Sequence, residues 1–350
     1  MYVFDCALMK YPNTGLFAFS DNLARCLARH AEEQKEKMGF YVPEKYIGRW
    51  GSGVSYMKLS ALHKIYLPAR GIDVWHAAYQ RSRYLPPKGT RMVLTVHDLN
   101  FLYDKPAYKH AKHLRWVQNR VDRADRIVAI SEYARKDIEA HVDLKGKKVD
   151  VIYNGLNFFD GDIAAPERVP QRPFLFSVGT VLPKKNFHVL PALLQDNDYE
   201  LIIAGNRSSY EQQIIEEARK YGVEDRVFIV GPVSEPVKYW YIKNCLAFLF
   251  PSLAEGFGLP VIEAMYYQKP VFLSDHTSLP EIGSRYAFYF DHDFDRDLMR
   301  RKFTETMAEF GKGGSKIEKL KEEMKIHAES FSWERTARKY FNIYRELASR

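Results

Sequence analysis

The sequence predicts an α/β protein of two similar-sized domains, each a parallel sheet with helices on both faces. Three observations lead there. The chain has 350 residues, enough for two or three domains at roughly 100 to 200 residues each. Short, continuous apolar runs alternate with helical stretches along it, the pattern of strands buried on both faces. Near the middle, the Pro-rich polar stretch 160–173 (DGDIAAPERVPQRP) breaks the rhythm, which restarts at FLFSVG. Such composition reads as a linker. We therefore expect domains at 1–165 and 166–331 and a terminal helix at 332–350.

Five strands are expected in the first half: Val3–Leu8, Val74–Ala77, Met92–Val96, Arg126–Ile130 and Val149–Tyr153. Six follow in the second: Phe174–Val178, Leu201–Ala204, Val227–Val230, Ala247–Phe250, Val271–Ser274 and Ala287–Phe290. Each is short, rich in β-branched or aromatic residues and bounded by turn formers. Helical spacing marks Leu16–Glu33, Ala107–Arg123, Glu132–His141, Tyr210–Tyr221 and Val261–Tyr267. Ser131 is placed to cap the third of these. Lys312–Lys325 reads as a loop and an exposed helix. In the closing segment SWERTARKYFNIYREL, Ser332 is a good N-cap and Trp333, Ala337, Phe341 and Tyr344 share one helical face.

Composition excludes several classes. Hydrophobic residues make up 46% and charged residues 27%, which is globular rather than disordered. No run of 18 apolar residues could cross a membrane, and the start MYVFDCALMK does not look like a signal peptide. The three cysteines, Cys6, Cys26 and Cys245, are few and far apart. This argues for a reducing, cytoplasmic setting and against disulfides or a zinc site, and Cys6 and Cys245, within apolar runs, read as buried thiols. The net charge of +8 permits an anionic partner, but the cations form no recognised nucleic-acid module.

Ligands of open α/β sheets bind beyond the carboxyl ends of the strands, so the loops there carry the chemistry. The run FPSLAEGFGLPVIEAM from Phe250 is the most informative. Glu255 precedes Gly256-Phe257-Gly258-Leu259, Pro260 suits the first turn of a helix, and Glu263 is expected within that turn. Glycines let backbone approach a ligand and a helix start offers N–H groups to an anion. A carboxylate accepts two hydrogen bonds side by side, matching the diol of a ribose or hexose. Amides for phosphate and acids for hydroxyls together describe a nucleotide-sugar site. The competing reading makes Glu263 a dipole-complementing acid and Glu255 a solvated one.

In the loop GTVLPKKNFHVL, Gly179 and Thr180 end a strand and Lys184 and Lys185 can meet a diphosphate. In the first domain His97 stands directly after a strand, where it can bond a sugar hydroxyl or phosphate; bonding to Asp98 is the bland alternative. The turn YPNTG places Thr14 and Gly15 at a helix entry, where Gly15 would admit a phosphate.

These runs resemble the retaining family-4 glycosyltransferases of GT-B architecture. TG at 14–15, VHD, AISEYARKDI, VIYNG, VGTVLPKKN, LIIAGN, EGFGLPVIEAM and SLPEIG all match, and FSWERTA adds a match near the end. The resemblance implies two Rossmann-like domains with an interdomain cleft and a last helix that crosses back to the first domain. It implies an acceptor held by the first domain and a nucleotide-diphosphate sugar held by the second. Glu263 would bind the ribose and Glu255 the transferred sugar. Gly256 to Leu259 would approach sugar and diphosphate, Lys185 the diphosphate, and His97 the donor sugar. Two positions depart from the pattern: Thr180 stands where many relatives have arginine, and Thr14-Gly15 where many have Gly-Gly.

The expected reaction is transfer of a hexosyl group, from GDP-mannose first and a UDP-sugar second, to a hydroxyl of a glycan or lipid-linked saccharide, with configuration retained. Its setting would be bacterial surface polysaccharide or lipopolysaccharide synthesis. No compact Asp-x-Asp pair is present, so neither metal nor cofactor is expected. A dinucleotide-dependent oxidoreductase would need a Gly-x-Gly-x-x-Gly loop, which is missing after every expected strand. A catalytically weak or inactive nucleotide-sugar-binding protein is the alternative that Thr180 keeps open. The basic segment Lys105–Arg126, with Trp116 inside it, reads either as a peripheral contact with anionic membrane or as a solvated helix face.

Overall fold

In a computed structural model, which describes residues 1–12, 14–157, 159 and 161–349, the chain forms two units. The first comprises Met1–Gly155 and Phe331–Arg350, the second Leu156–Ser330. The expected boundary near 165 thus lies about ten residues beyond the division between Gly155 and Leu156. Asn13 of the YPNTG turn, and Asp160 at the start of the expected linker, lie outside the described residues.

The first unit holds a seven-stranded sheet of β1 (Tyr2–Asp5), β2 (Met38–Val42), β3 (Ser55–Lys58), β4 (Val74–Ala77), β5 (Arg91–Val96), β6 (Arg126–Ala129) and β7 (Val149–Val151). Its order is β3-β2-β1-β4-β5-β6-β7, and every pairing is parallel. The order reverses between β1 and β4, so the loops after these strands leave in opposite directions and open a crevice. β1, β2 and β4 are buried along their whole length, with Asp5 and His76 the polar residues of β1 and β4.

The Gly15–Gln34 helix, capped by Thr14, packs against the Trp333–Ala348 helix. Ser332 caps the latter, and Trp333, Ala337, Phe341 and Tyr344 are buried. Two hydroxyls fix it to the sheet: Tyr344 bonds His76 Nδ1 at 2.6 Å and Tyr340 bonds Thr95 Oγ1 at 2.8 Å. His76 Nε2 closes the network on the same Thr95 oxygen at 2.7 Å. The last helix therefore belongs to the first unit, as the resemblance implied.

The second unit holds β8 (Phe174–Val178), β9 (Glu200–Ala204), β10 (Val227–Gly231), β11 (Ala247–Phe250), β12 (Val271–Leu273) and β13 (Phe288–Tyr289). These form a parallel sheet in the order β10-β9-β8-β11-β12-β13. The reversal falls between β8 and β11, the strands that precede the lysine loop and the glutamate loop. Leu175, Leu201, Ile203, Ala247, Leu249 and Phe272 form the centre of its core. All three cysteines are free and buried.

Candidate active site

The lysine loop leaves β8 through Gly179 and turns at Pro183–Lys185 into a single 3-10 turn. The glutamate loop leaves β11 and enters the Leu259–Tyr266 helix with Pro260 in its first positions. Backbone and side-chain bonds tie the loops together. The Lys184 carbonyl accepts from Leu253 N at 2.8 Å and from Ser252 Oγ at 3.2 Å. The Lys185 ammonium donates to Glu255 Oε1, which also accepts from Ser252 Oγ at 2.6 Å. Lys185 Nζ lies 4.8 Å from the centre of the Phe250 ring. The structure thus pairs two predicted site residues 70 positions apart, both half-buried at the sheet's switch point.

Two glycines are required by this geometry. Gly205, after β9, runs so close to Gly179 that an added Cβ would overlap the Gly179 carbonyl. Gly258 caps the Leu259–Tyr266 helix at φ 109°, a left-handed value that glycine adopts without penalty. The preceding loop is pinned from β12's side: Ser278 Oγ donates to the carbonyls of Glu255 (3.0 Å) and Phe257 (3.2 Å). Glu255 N donates to Thr277 Oγ1 at 3.0 Å. Thr277 is itself at φ 53°, and a β-branched residue there is strained, a condition concentrated at functional sites. Neither Thr277 nor Ser278 is given a site role by the sequence, although Ser278 opens the SLPEIG match and Thr277 precedes it.

Glu263 corrects one expectation. It is the fifth residue of its helix, past the first turn, so the helix dipole does not account for it. Specific partners do. Its Oε1 accepts from Asn157 Nδ2 (3.1 Å), Tyr239 OH (3.2 Å) and Lys238 Nζ (3.2 Å), and Lys238 Nζ stands 3.1 Å from Oε2. Beyond that ionic contact, Oε2 is buried without a hydrogen bond. Burial raises the Glu263 pKa, and the Lys238 charge opposes the rise without cancelling it. Burial works against the Lys238 ammonium, but the charges of Glu263 and Glu235 outweigh it and raise its pKa. Asn157, Lys238 and Tyr239 carried no motif in the sequence. Glu255 and Glu263 have separate sets of partners.

His97 and the Thr14-Gly15 pair lie in the first unit. Thr14 Oγ1 accepts from Phe17 N at 3.2 Å and donates to the Tyr11 carbonyl at 2.8 Å, an ordinary cap. Gly15 is exposed, and a Cβ there would meet open space. His97 is buried against the edge of the Phe19 ring. Its Nε2 bonds the Ala78 carbonyl at 2.8 Å rather than Asp98. That bond requires the proton on Nε2 and leaves Nδ1 as an acceptor. Burial lowers the His97 pKa to about 4, against a rise from the Ala78 bond. The ring is therefore neutral at pH 7, which suits a hydroxyl partner.

A pH dependence follows. Unfolded His97 takes up a proton below about 6.5 whereas the folded ring resists until about 4. Its contribution to stability is full above 6.5 and is lost as pH falls toward 4. A shift of this size corresponds to about 3 kcal/mol. His76, also lowered by burial, acts in the same direction. Asp5, raised to about 6 by burial, acts in the opposite one. Urea unfolding of the wild type and His97→Gln between pH 7.5 and 4 isolates the His97 share: the gap between the two curves should shrink as pH falls.

Among the described residues, one group could supply three metal-ligand atoms: Asp275, His276 and His292, within 4.8 Å of one another. Three of its atoms take part in bonds within the chain. His276 Nε2 bonds the His292 carbonyl at 3.0 Å and His292 Nδ1 faces Asp275 Oδ1 at 3.0 Å.

Residues 160–306 match the family described as Glycosyl transferases group 1, and residues 23–158 match Glycosyltransferase Family 4. The chain belongs to this glycosyltransferase family. It is 27% identical over 207 residues to the O-antigen chain mannosyltransferase RfbU of Salmonella typhimurium, covering 58% of this chain and 57% of RfbU's length. The O-antigen chain mannosyltransferase B of Escherichia coli is 26% identical over 99% of each chain. Among solved structures, Anabaena Alr3699/HepE in complex with UDP and glucose superposes with a TM-score of 0.73 at 16% identity, over 99% of both chains. These likenesses establish the GT-B fold of the family member described here.

Proposed function

We propose that the protein is a retaining glycosyltransferase. It moves a hexosyl group from a nucleotide-diphosphate sugar to a hydroxyl of a glycan or lipid-linked saccharide, without a metal. The observation that carries this reading is the Lys185–Glu255 pair at the switch point of the second sheet. In the free protein each neutralises the other. A donor would exchange their partners: Lys185 turns to the diphosphate, and Glu255, still held by Ser252, accepts hydroxyls of the sugar. The backbone of Gly256 to Leu259 approaches the same groups.

Gly179 and Thr180 border the diphosphate with Lys184 beside them, and the bond-free Oε2 of Glu263 takes a ribose hydroxyl. In the first unit, the neutral His97 ring has Nδ1 available as an acceptor for a sugar hydroxyl. As the anomeric bond breaks, the electron pair leaves on the diphosphate oxygen, where the Lys185 charge stabilises it. The acceptor oxygen bonds to the anomeric carbon on the same face, and its proton passes to the departing phosphate oxygen.

GDP-mannose is the first donor, since two relatives are named mannosyltransferases of O-antigen chains. A UDP-sugar is the second, as UDP and glucose occupy the HepE structure. The setting proposed is bacterial surface polysaccharide or lipopolysaccharide synthesis on the cytoplasmic side of the membrane. No helix among the described residues is long and apolar enough to cross one.

Thr180 in place of arginine favours one other reading, a nucleotide-sugar binder with little turnover. One experiment separates the two. In a panel of UDP, GDP and ADP with their sugar conjugates, the protein should show a raised melting temperature with one base. With the matching labelled sugar and an acceptor it should release nucleoside diphosphate. Stabilisation without release identifies a binder, and no stabilisation by any conjugate rejects both readings.

A further inference from the structure

We propose that Arg81, Arg83 and Arg120, gathered on the indole of Trp116, form a phosphate-binding site in the first unit. Through it the protein selects an acceptor that carries a phosphate or diphosphate group. The acceptor role rests on the glycosyltransferase reading above; the phosphate site does not.

Arg81 and Arg83 lie on the loop after β4, at the point where the first sheet's order reverses. Trp116 and Arg120 are four residues apart on the His110–Arg123 helix and so share a face. The three guanidinium carbons stand 5.5, 5.6 and 5.6 Å from the Trp116 ring. Arg120 is fixed by a 2.9 Å bond from Nε to the Ser82 carbonyl. The Nε of Arg81 is buried without a hydrogen-bond partner. Arg83 is exposed, while Arg81, Trp116 and Arg120 are half-buried.

What distinguishes this cluster is the gathering of three cations on one indole. Arg49, Arg91 and Arg126 face carboxylates, but among the described residues none of the three cluster arginines has one within 4.0 Å. Burial, and then the charge of Arg83, lower the Arg120 pKa. The acids in the neighbourhood have other partners as well. Asp98 Oδ1 accepts from Asn100 N at 3.0 Å and Asp104 lies 4.0 Å from Lys105.

The field extends along the helix, where burial, Arg81, Lys112 and Lys105 all lower the His113 pKa against Asp104. An indole orders cations over its face but leaves their charge intact. Three guanidiniums held together in this way lack an anion with several acceptor oxygens. Phosphate fits: arginine forks match its geometry, and its charge balances more than one of them.

The test uses the full chain in a Lys185→Ala background, which disables the donor's diphosphate site, with inorganic pyrophosphate as the probe in calorimetry. Pyrophosphate should still bind there, and Arg83→Gln should weaken it roughly tenfold or more. Arg81→Gln and Arg120→Gln should do the same, provided their melting curves are native; exposed Arg83 is the substitution least able to disturb folding. With Lys185 intact, all three arginine variants should keep wild-type affinity for the nucleoside diphosphate. A nucleotide panel that fails while arginine-dependent pyrophosphate binding persists would remove the glycosyltransferase reading and leave the site standing.

Vesicles identify the source of the phosphate. Arg83-dependent binding to phosphatidylglycerol but not phosphatidylcholine, displaced by pyrophosphate, assigns a lipid headgroup; pyrophosphate binding without vesicle binding assigns the acceptor's own phosphate. Loss of all pyrophosphate binding in the Lys185→Ala background, or binding unchanged in every arginine variant, overturns the proposal.

Discussion

Lys185→Ala is expected to lower turnover about 100- to 1000-fold, or about 3 to 4 kcal/mol of transition-state stabilisation, in a protein that still folds. Among the described residues the ammonium is the one cation paired with Glu255, and both side chains sit at the carboxyl edge of the second sheet beside the β8–β11 reversal. Removing it leaves Glu255 half-buried, with the Ser252 hydroxyl on Oε1 and with the Thr277 and Ser278 bonds to its backbone intact. The acid can be solvated, so the loop should keep its shape and the melting temperature should change little. Steady-state kinetics with the matching donor, alongside thermal melts, read both quantities. Lys185→Arg should recover part of the rate, because charge survives while the compact ammonium does not. Near-native kcat in Lys185→Ala would remove the diphosphate assignment.

How much of this was legible in advance depended on where the information lay along the chain. Strands such as Phe174–Val178 and Leu201–Ala204 announce themselves because both faces are buried and every residue is apolar or small. β3, SYMK, lies at the sheet edge with no residue buried, so its sequence carries no such run. β2, MGFYV, is wholly buried, but Gly39 and the charged residues before it obscured the run. The Glu235–Asn244 helix was missed because its aromatic residues lie all around it and give no polar face.

The site divides in the same way. Lys185 and Glu255 stand in motifs, after strands whose order placed them together. The carboxylate of Glu263 is held by Lys238, 25 positions away, and Asn157, 106 positions away. A loop brings Asn157 and a helix brings Lys238 to Glu263 only through tertiary packing, which no local pattern encodes. The arginine cluster was half visible, since Trp116 and Arg120 fell inside the basic segment while Arg81 and Arg83 joined it from another loop.

Glu263 gives the second large effect, and it separates a structural role from a ligand-binding one. Glu263→Ala would leave the largely buried Lys238 with Glu235 alone, at 2.9 Å, and the Tyr239 hydroxyl with the Asn157 carbonyl at 3.0 Å. Breaking a buried ion pair from one side costs about 3 to 5 kcal/mol, because the remaining charge stays buried. The Lys238 pKa should fall, since burial then acts with only Glu235 against it. A loss of nucleotide binding in this variant would be ambiguous by itself.

The double variant Glu263→Gln/Lys238→Met removes both charges and keeps comparable shapes. Replacing a buried pair by uncharged groups is often close to neutral, so much of the stability should return. Nucleoside diphosphate binding should not return if Glu263 Oε2 is the ribose acceptor. Denaturant unfolding and calorimetry on the two variants measure these separately. Recovery of both stability and nucleotide affinity in the double variant would make Glu263 a packing partner of Lys238 and withdraw it from the donor site.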